Sequence, residues 1–277
     1  MLTLKIIYDK VSYLGKFFKV IIKTSIFKEK EAKMTTAREM IKVVTVTGAD
    51  DSVRPDELIP IVERYPFVEF GILLSKKQQG GNRFPSRDWL EELYLLWRDK
   101  KFILSGHLCG KWVRDLCLGE PSFFEDFGYT WEMFERFQLN FHAEPHSIDC
   151  DKLCKILRER FDSKSIIFQM DGVNEGAYHS LVARWGVYVF PLFDRSGGAG
   201  LVPKAWPKQH SVAAYCGYAG GLAPANLQKE MGRISEVADG PIWIDAETLL
   251  RSEDNTVFQT ETVYRFLEVA RPWVISR

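Results

Sequence analysis

The chain has 277 residues, 46% hydrophobic and 27% charged, with 37 Lys+Arg balancing 37 Asp+Glu at zero formal net charge. That is enough ordinary globular chain to bury a substantial core, and it has neither the bulk basic character of a nucleic-acid binder nor an acidic tail. Five cysteines without a C-x-x-C pair argue against a disulfide framework and for buried free thiols in a reducing cytoplasm.

Residues 1–33 carry eight lysines against Asp9, Glu29 and Glu31, with apolar residues between them, as in LGKFFKVIIKTSIF. No apolar run approaches the roughly 18 residues of a membrane span, and no small-residue cleavage site follows. The segment reads either as a basic amphipathic surface helix or as an extension upstream of a natural start at Met34. We favour the second, and expect a fold made of residues 34–277 with 1–33 outside it.

From residue 42 one unit repeats: a short apolar, β-branched run, a polar or glycine-containing loop, then a helical pattern. The runs are KVVTVTG (from 42), VEFGILLS (68), FILSGH (102), FQLNFH (137), IIFQMD (166), VYVFPLFD (187), AYCGYAGG (214) and PIWIDAE (241). Helical stretches such as PDELIPIVERY, SRDWLEELYLLWRD and PANLQKEMGRISEVA lie between them. Strand–helix alternation predicts parallel βαβ units, and eight of them predict a single-domain (β/α)8 TIM barrel. A doubly wound open sheet is the weaker alternative, because no G-x-G-x-x-G follows the first run.

Side chains alternate faces along a strand. One parity of the runs is apolar (Val44 and Val46, Phe70 and Ile72, Leu139, Phe168, Ile242 and Ile244) and is expected to meet the helices. The other holds Thr45, Thr47, Glu69, Ser105, His107, Gln138, Asn140, His142, Gln169, Asp171, Asp194, Cys216, Tyr218, Trp243, Asp245 and Glu247. It is expected to point into the barrel, with its polar groups thickest at the strand C-termini, where such barrels keep their sites. Unpartnered buried polar groups cost on the order of 1–3 kcal/mol each, so they must pair or face a ligand.

Two consecutive late runs end in glycine-rich loops, FDRSGGAG (193–200) and AGGLAPAN (219–226). Glycine lets backbone amides approach a ligand, and Pro224 and Asn226 suit a helix start that favours an anion. Ser196, Gly197, Gly198, Gly200, Gly220 and Gly221 are therefore candidates for a phosphate cradle, with tight turns as the plain alternative. These motifs, with Trp206 between them, resemble phosphoribosylanthranilate isomerase, a ribulose-phosphate-binding barrel. The resemblance is good over residues 194–227 and, by strand order, extends over roughly 42–270. It implies Asp194 as general acid, with Gly197, Gly198, Gly220 and Gly221 holding a substrate phosphate. Where that family has a catalytic Cys before a Gly at the end of strand one, this chain reads Thr47-Gly48, and a hydroxyl without an adjacent base is a poor proton acceptor. Asp245, Glu247 and Arg251 stand where smaller residues are expected.

The resulting expectation is a cytoplasmic barrel that isomerises a phosphorylated, sugar-like small molecule by acid–base proton transfer. It uses no cofactor or metal, binds no nucleic acid and makes no stable membrane insertion. Its candidate catalytic residues are Asp194, with Asp50, His107, His142 or Asp171 as base. Thr47, Arg83, Asn140, Gln169, Tyr218, Asp245 and Glu247 are candidates for substrate binding. Arg83 and Arg87 lie in a long polar loop, QQGGNRFPSRDW, that reads as a lid, while Lys111 and Arg114 read as solvent-facing. The rival readings are a metal-dependent sugar-phosphate epimerase or lyase drawing on His107, His142, Glu69, Asp171 and Asp245, and a barrel that binds its ligand without catalysis.

Overall fold

The computed structural model describes residues 38–140, 148–161, 164–170, 172, 174–185, 189–194, 199–209 and 215–276. Eight parallel strands close into a barrel in chain order: β1 (Ile41–Thr47), β2 (Val68–Ser75), β3 (Leu104–Cys109), β4 (Arg136–Asn140), β5 (Ser165–Met170), β6 (Val189–Phe193), β7 (Cys216–Ala219) and β8 (Ile242–Ala246). β8 returns to β1 with Val44 opposite Ile244 and Thr45 opposite Asp245. The helices are α1 (Ile59–Arg64), α2 (Arg87–Lys100), α3 (Lys111–Cys117), α4 (Ser122–Phe127), α5 (Cys150–Arg160), α6 (Glu175–Trp185), α7 (Leu227–Ser235) and α8 (Thr260–Ala270). The fold is thus the expected TIM barrel.

Local sequence sets the helix ends. The Ser86 hydroxyl accepts the Trp89 amide at the start of α2, and the Asp149 carboxylate accepts the Lys152 amide at the start of α5. The expected first helix divides into a 3-10 turn, Pro55–Leu58, and α1. Between β3 and β4 the chain adds α4, which the strand–helix alternation does not announce. Phe123 and Phe127 of α4 stack on each other and pack edge-on against Trp112, and Phe123 also meets Phe137.

The apolar parity covers the outside of the barrel wall. Val44, Val46, Phe70, Ile72, Leu139, Phe168, Ile242 and Ile244 are fully buried. Inside, Ile167, Leu192, Ala219 and Trp243 form an apolar cluster with Val43, Phe190 and Tyr215 against it. The parity expected for β7 is therefore reversed. Gly217 and Ala219 point inward, because any Cβ at Gly217 would collide with the Trp243 ring and, at 2.6 Å, with Leu192 Cδ1. Cys216 and Tyr218 point outward: the Tyr218 hydroxyl donates to Pro207 O (3.1 Å) and its ring meets Trp206 edge-on. The rule that the last polar residue faces inward fails here because a tyrosine under a loop can satisfy its own hydroxyl.

Gly71 plays a similar part on β2. Its missing side chain leaves room for Thr47 and His107, and a Cβ there would lie 2.7 Å from His107 Cε1 and nearer still to Thr47 Oγ1. Gly71→Ala is expected to overpack the interior by about 1–3 kcal/mol, seen as a fall of several degrees in Tm. An unchanged Tm would show that the interior has slack.

Candidate functional site

The inward side chains rise in three tiers. At the bottom, Arg136 grips both oxygens of Glu69 at 2.7 Å, and Thr45 Oγ1 donates to Glu69 at 2.8 Å. The guanidinium lies 4.6 Å from the Trp243 ring centroid. Burial opposes ionisation of Glu69, but the Arg136 charge and hydrogen bonds outweigh it and hold its pKa below the usual range. This pair fills the lower barrel. The sequence does not single out Arg136, because the fourth apolar run begins only at Phe137. Parity alone, counted back from Gln138, places it inside.

In the middle tier, Thr47 donates to Asp245 Oδ1 (2.7 Å), and Ser105 Oγ lies 3.0 Å from His107 Nε2. Burial, with the Arg136 charge adding to it, pushes His107 down to about 3, so the imidazole is neutral.

Above these opens a cavity of about 450 Å³ at the strand C-termini. Its wall includes Asp194, Gln169, Gln138, Asn140, His107, Asp245, Glu247 and Arg83, together with Gly200, Gly220 and Gly221. Gln169 Nε2 donates to Asp194 Oδ2 (2.8 Å), Gln138 Nε2 donates to Asn140 Oδ1 (2.7 Å), and Arg83 Nη1 pairs with Glu247 Oε1 (2.6 Å). Burial, reinforced by the Glu247, Asp194 and Glu69 charges, pushes Asp245 up to about 8, against the opposing Thr47 hydrogen bond. Burial also raises Glu247, with Arg83 opposing it.

The two late glycine loops abut. Gly220 and Gly221 have φ of 110° and 63°, a region closed to most side chains. A Cβ on Gly221 would strike the Val202 amide and lie 2.7 Å from the Leu201 carbonyl carbon. Asn226 fixes the second loop, accepting from the Ala223 amide (2.8 Å) and donating to Gly221 O (2.7 Å). Asp194, Gln169, Asn140, His107, Arg83, Asp245, Glu247, Gly200, Gly220 and Gly221 thus meet around one cavity, and Thr47 lies directly behind Asp245.

Several expectations need correction. Tyr218 faces the outer shell and cannot touch a ligand in the cavity. Asp50 is no free base: it accepts from Arg251 Nη2 (2.8 Å), the Arg83 amide (2.6 Å) and both the amide and hydroxyl of Ser52. Burial opposes its ionisation, but these donors hold its pKa below the usual range. The loop expected to act as a lid is fastened. Asp50 and Asp51 take the Arg83 and Ser86 amides, and Arg251 donates to Asn82 Oδ1 (2.9 Å) and to Gly48 O. Arg83 itself sits at φ 71°, a strained non-glycine conformation. Arg87 turns away to Asp126 O. Arg114, expected in solvent, is exposed but lines the mouth beside Val113, Gly110 and Cys109, and none of these four carries a local signal. His142, Asp171, Ser196, Gly197 and Gly198 lie outside the described residues. Among the described residues no three His, Cys, Asp or Glu side chains are grouped to hold a metal, and no helix is long and apolar enough to cross a membrane.

No protein-family model and no curated protein sequence matches the chain. The solved structures it is similar to include a phosphoribosyl anthranilate isomerase in complex with reduced 1-(o-carboxyphenylamino)-1-deoxyribulose 5-phosphate (TM-score 0.51, 14% identity, 84% of this chain and 99% of that one). A phosphoribosyl anthranilate isomerase from Thermotoga maritima (0.48, 13%, 83% and 98%) and a 3-hexulose-6-phosphate synthase from Salmonella typhimurium (0.45, 9%, 83% and 98%) are also similar. At 14% identity the likeness to the first of these is one of fold alone.

The raised pKa of Asp245 has a consequence for stability. An aspartate in the unfolded chain titrates near 3.9, so between about pH 4 and 8 the folded state holds a proton that the unfolded state has lost. Its contribution is fully present below pH 4 and is lost as pH rises through about 8. Asp245→Asn, which cannot ionise, is expected to be more stable than the wild type at pH 8 by a few kcal/mol. Chemical denaturation across the pH range should show that advantage vanish by about pH 4, whereas a pH-independent difference would contradict it.

Proposed function

We propose that this barrel is an enzyme that binds a phosphorylated, sugar-like small molecule at its C-terminal mouth and isomerises it by acid–base proton transfer. The observation that carries the reading is the meeting, in one cavity, of a glycine-lined turn from two adjacent late loops with the carboxylates of Asp194 and Asp245. Amides freed of neighbouring side chains suit a phosphate. The exposed guanidinium of Arg114 adds positive charge at the rim, and Gln138, Asn140 and Gln169 offer hydrogen bonds to sugar hydroxyls. The similarly folded isomerase is in complex with a deoxyribulose 5-phosphate derivative, a ligand of the class this cavity suits. Ser196, Gly197 and Gly198 are proposed to complete the phosphate seat.

In this reading Asp194, oriented by Gln169, gives a proton to the ring oxygen of the bound glycoside, and a second group takes a proton from the neighbouring carbon. Dividing acid and base between two groups avoids a free charged intermediate. The enzyme is proposed to work in the cytoplasm, without a metal.

Turnover should be assayed with N-(5-phosphoribosyl)anthranilate and with related 5-phosphorylated N-glycosides, with and without EDTA. Inorganic phosphate serves as the binding probe in thermal-shift measurements. Asp194→Asn is expected to lower kcat by about 10²- to 10⁴-fold and to keep the phosphate-induced shift, and Gly220→Val to lose that shift. Chelator should change nothing. A wild type that phosphate does not stabilise, or an Asp194→Asn variant with full turnover, would refute the reading. Activity lost with EDTA would favour the metal-dependent rival.

A further inference from the structure

The proposed reaction needs a base, and most of the inward groups are committed elsewhere. Asp50 is enclosed by donors outside the cavity wall. Glu69 is held bidentately by Arg136 and Glu247 is held by Arg83. His107 is a neutral imidazole of very low basicity, and burial pushes the Cys109 thiol up to about 12, which leaves no thiolate near neutral pH. Thr47 is a hydroxyl that spends its proton on a carboxylate.

Asp245 differs from all of these. It lines the cavity, and among the described residues its hydrogen-bond partner is that hydroxyl and it forms no salt bridge, the Arg136 guanidinium being held by Glu69. The Thr47 bond draws it toward β1, while the Gln169 bond draws Asp194 toward β5, so the two carboxylates are set to flank a ligand. We propose that Asp245, positioned by Thr47, is the catalytic base of the isomerisation. The assignment rests on the proposed function and deepens it.

The step balances within the substrate. Asp194 protonates the ring oxygen and the C1–O bond breaks, giving an iminium. An oxygen of Asp245 takes the proton from C2, and the C2–H electrons form the C1=C2 bond and neutralise the iminium. Asp245 then returns its proton to C1 as the C2 hydroxyl proton passes to Asp194, leaving the ketose and restoring both groups. No oxidant, reductant or second substrate enters.

The charged and titratable groups facing Asp245 are Glu247 on its own strand, Asp194 from β6, Glu69 from β2, Arg136 from β4 and the neutral His107 from β3. Three of these are carboxylates, and they give Asp245 a basicity matched to neutral pH, unlike an ordinary aspartate.

The test is the pH dependence of kcat/KM for N-(5-phosphoribosyl)anthranilate in the wild type, Asp245→Asn and Thr47→Val. The wild type is expected to gain rate as pH rises through about 8. Asp245→Asn should lose about 10³-fold while keeping its stabilisation by inorganic phosphate. Thr47→Val, which removes a hydrogen bond to the ionised carboxylate and with it the orientation of the base, should move the rising limb to higher pH and lower the plateau, less than Asp245→Asn does. An Asp245→Asn variant with wild-type turnover would overturn this assignment alone. So would a limb that shifts in His142→Asn or Asp171→Asn but not in Thr47→Val. A wild type with no turnover at all would overturn the proposed function and this assignment with it.

Discussion

A closed parallel barrel encloses its inner face in a region of low dielectric, where a charge without a counter-charge is costly. Among the described residues this interior carries more carboxylates than cations, and that imbalance organises the rest. Arg136 is assigned to Glu69 at the floor and Arg83 to Glu247 at the rim. Asp50, just outside the wall, takes Arg251, whose side chain is fully buried. Asp245 has a hydroxyl in place of a cation and sits among the fields of Glu247, Asp194 and Glu69. A carboxyl so placed answers by retaining its proton. The lower ion pair thereby shapes the chemistry above it: it fixes the negative charge of Glu69 beneath Asp245, and it plugs the barrel with matter no ligand can displace.

The loops over this interior are fixed by a second set of charges. Arg251, from the segment after β8, reaches the Gly48 carbonyl, the Asp50 carboxylate and the Asn82 side chain, which come from the segments after β1 and β2. Asp50 passes the constraint on to the Arg83 amide, and Arg83 spans the mouth to Glu247. Two buried or half-buried ion pairs and a backbone carbonyl thus register three loops against one another. The strained backbone at Arg83 is tolerated because its amide is held from the segment after β1, and its side chain and its neighbour Asn82 from the segment after β8. On the far side Trp206 does the same for the loop after β6, donating to Glu230 of α7 at 3.0 Å and packing on Tyr218.

The architecture is legible in the sequence because its signals are periodic. Eight apolar runs alternating with helical stretches fix the barrel, and parity fixes which side chains enter it. Thr47, His107, Gln169, Asp194 and Asp245 all stand where alternation puts them. Parity misleads at β7, where a bulky Trp243 on the next strand demands a glycine on the inner face and so reverses the assignment of Tyr218. At β4 a charged residue ahead of the apolar run hides the strand's true start, and Arg136 escapes notice with it. What alternation cannot convey is partnership. That Asp50 belongs to Arg251 and Arg83 to Glu247 depends on contacts between residues 201 and 164 positions apart. No local pattern encodes them, and they separate a structural carboxylate from an available one.

The same limit bears on Thr47. Where the resemblance implies a catalytic cysteine at the end of β1, a threonine in isolation suggests that the proton acceptor has been lost. In the closed barrel β1 and β8 are neighbours, with Thr45 opposite Asp245, so a side chain from β8 reaches the same region of the cavity. The threonine two residues further along that register meets the aspartate at 2.7 Å. A barrel wall is a ring, and a chemical group needed at one angular position can be supplied from either adjoining strand if the residue between them is small. Gly71 meets that condition on the other flank of Thr47, since any side chain there would occupy the space that lets Thr47, His107 and Asp245 share one tier. The departure at position 47 and the unexpected aspartate at position 245 are therefore parts of one arrangement, joined by a hydrogen bond.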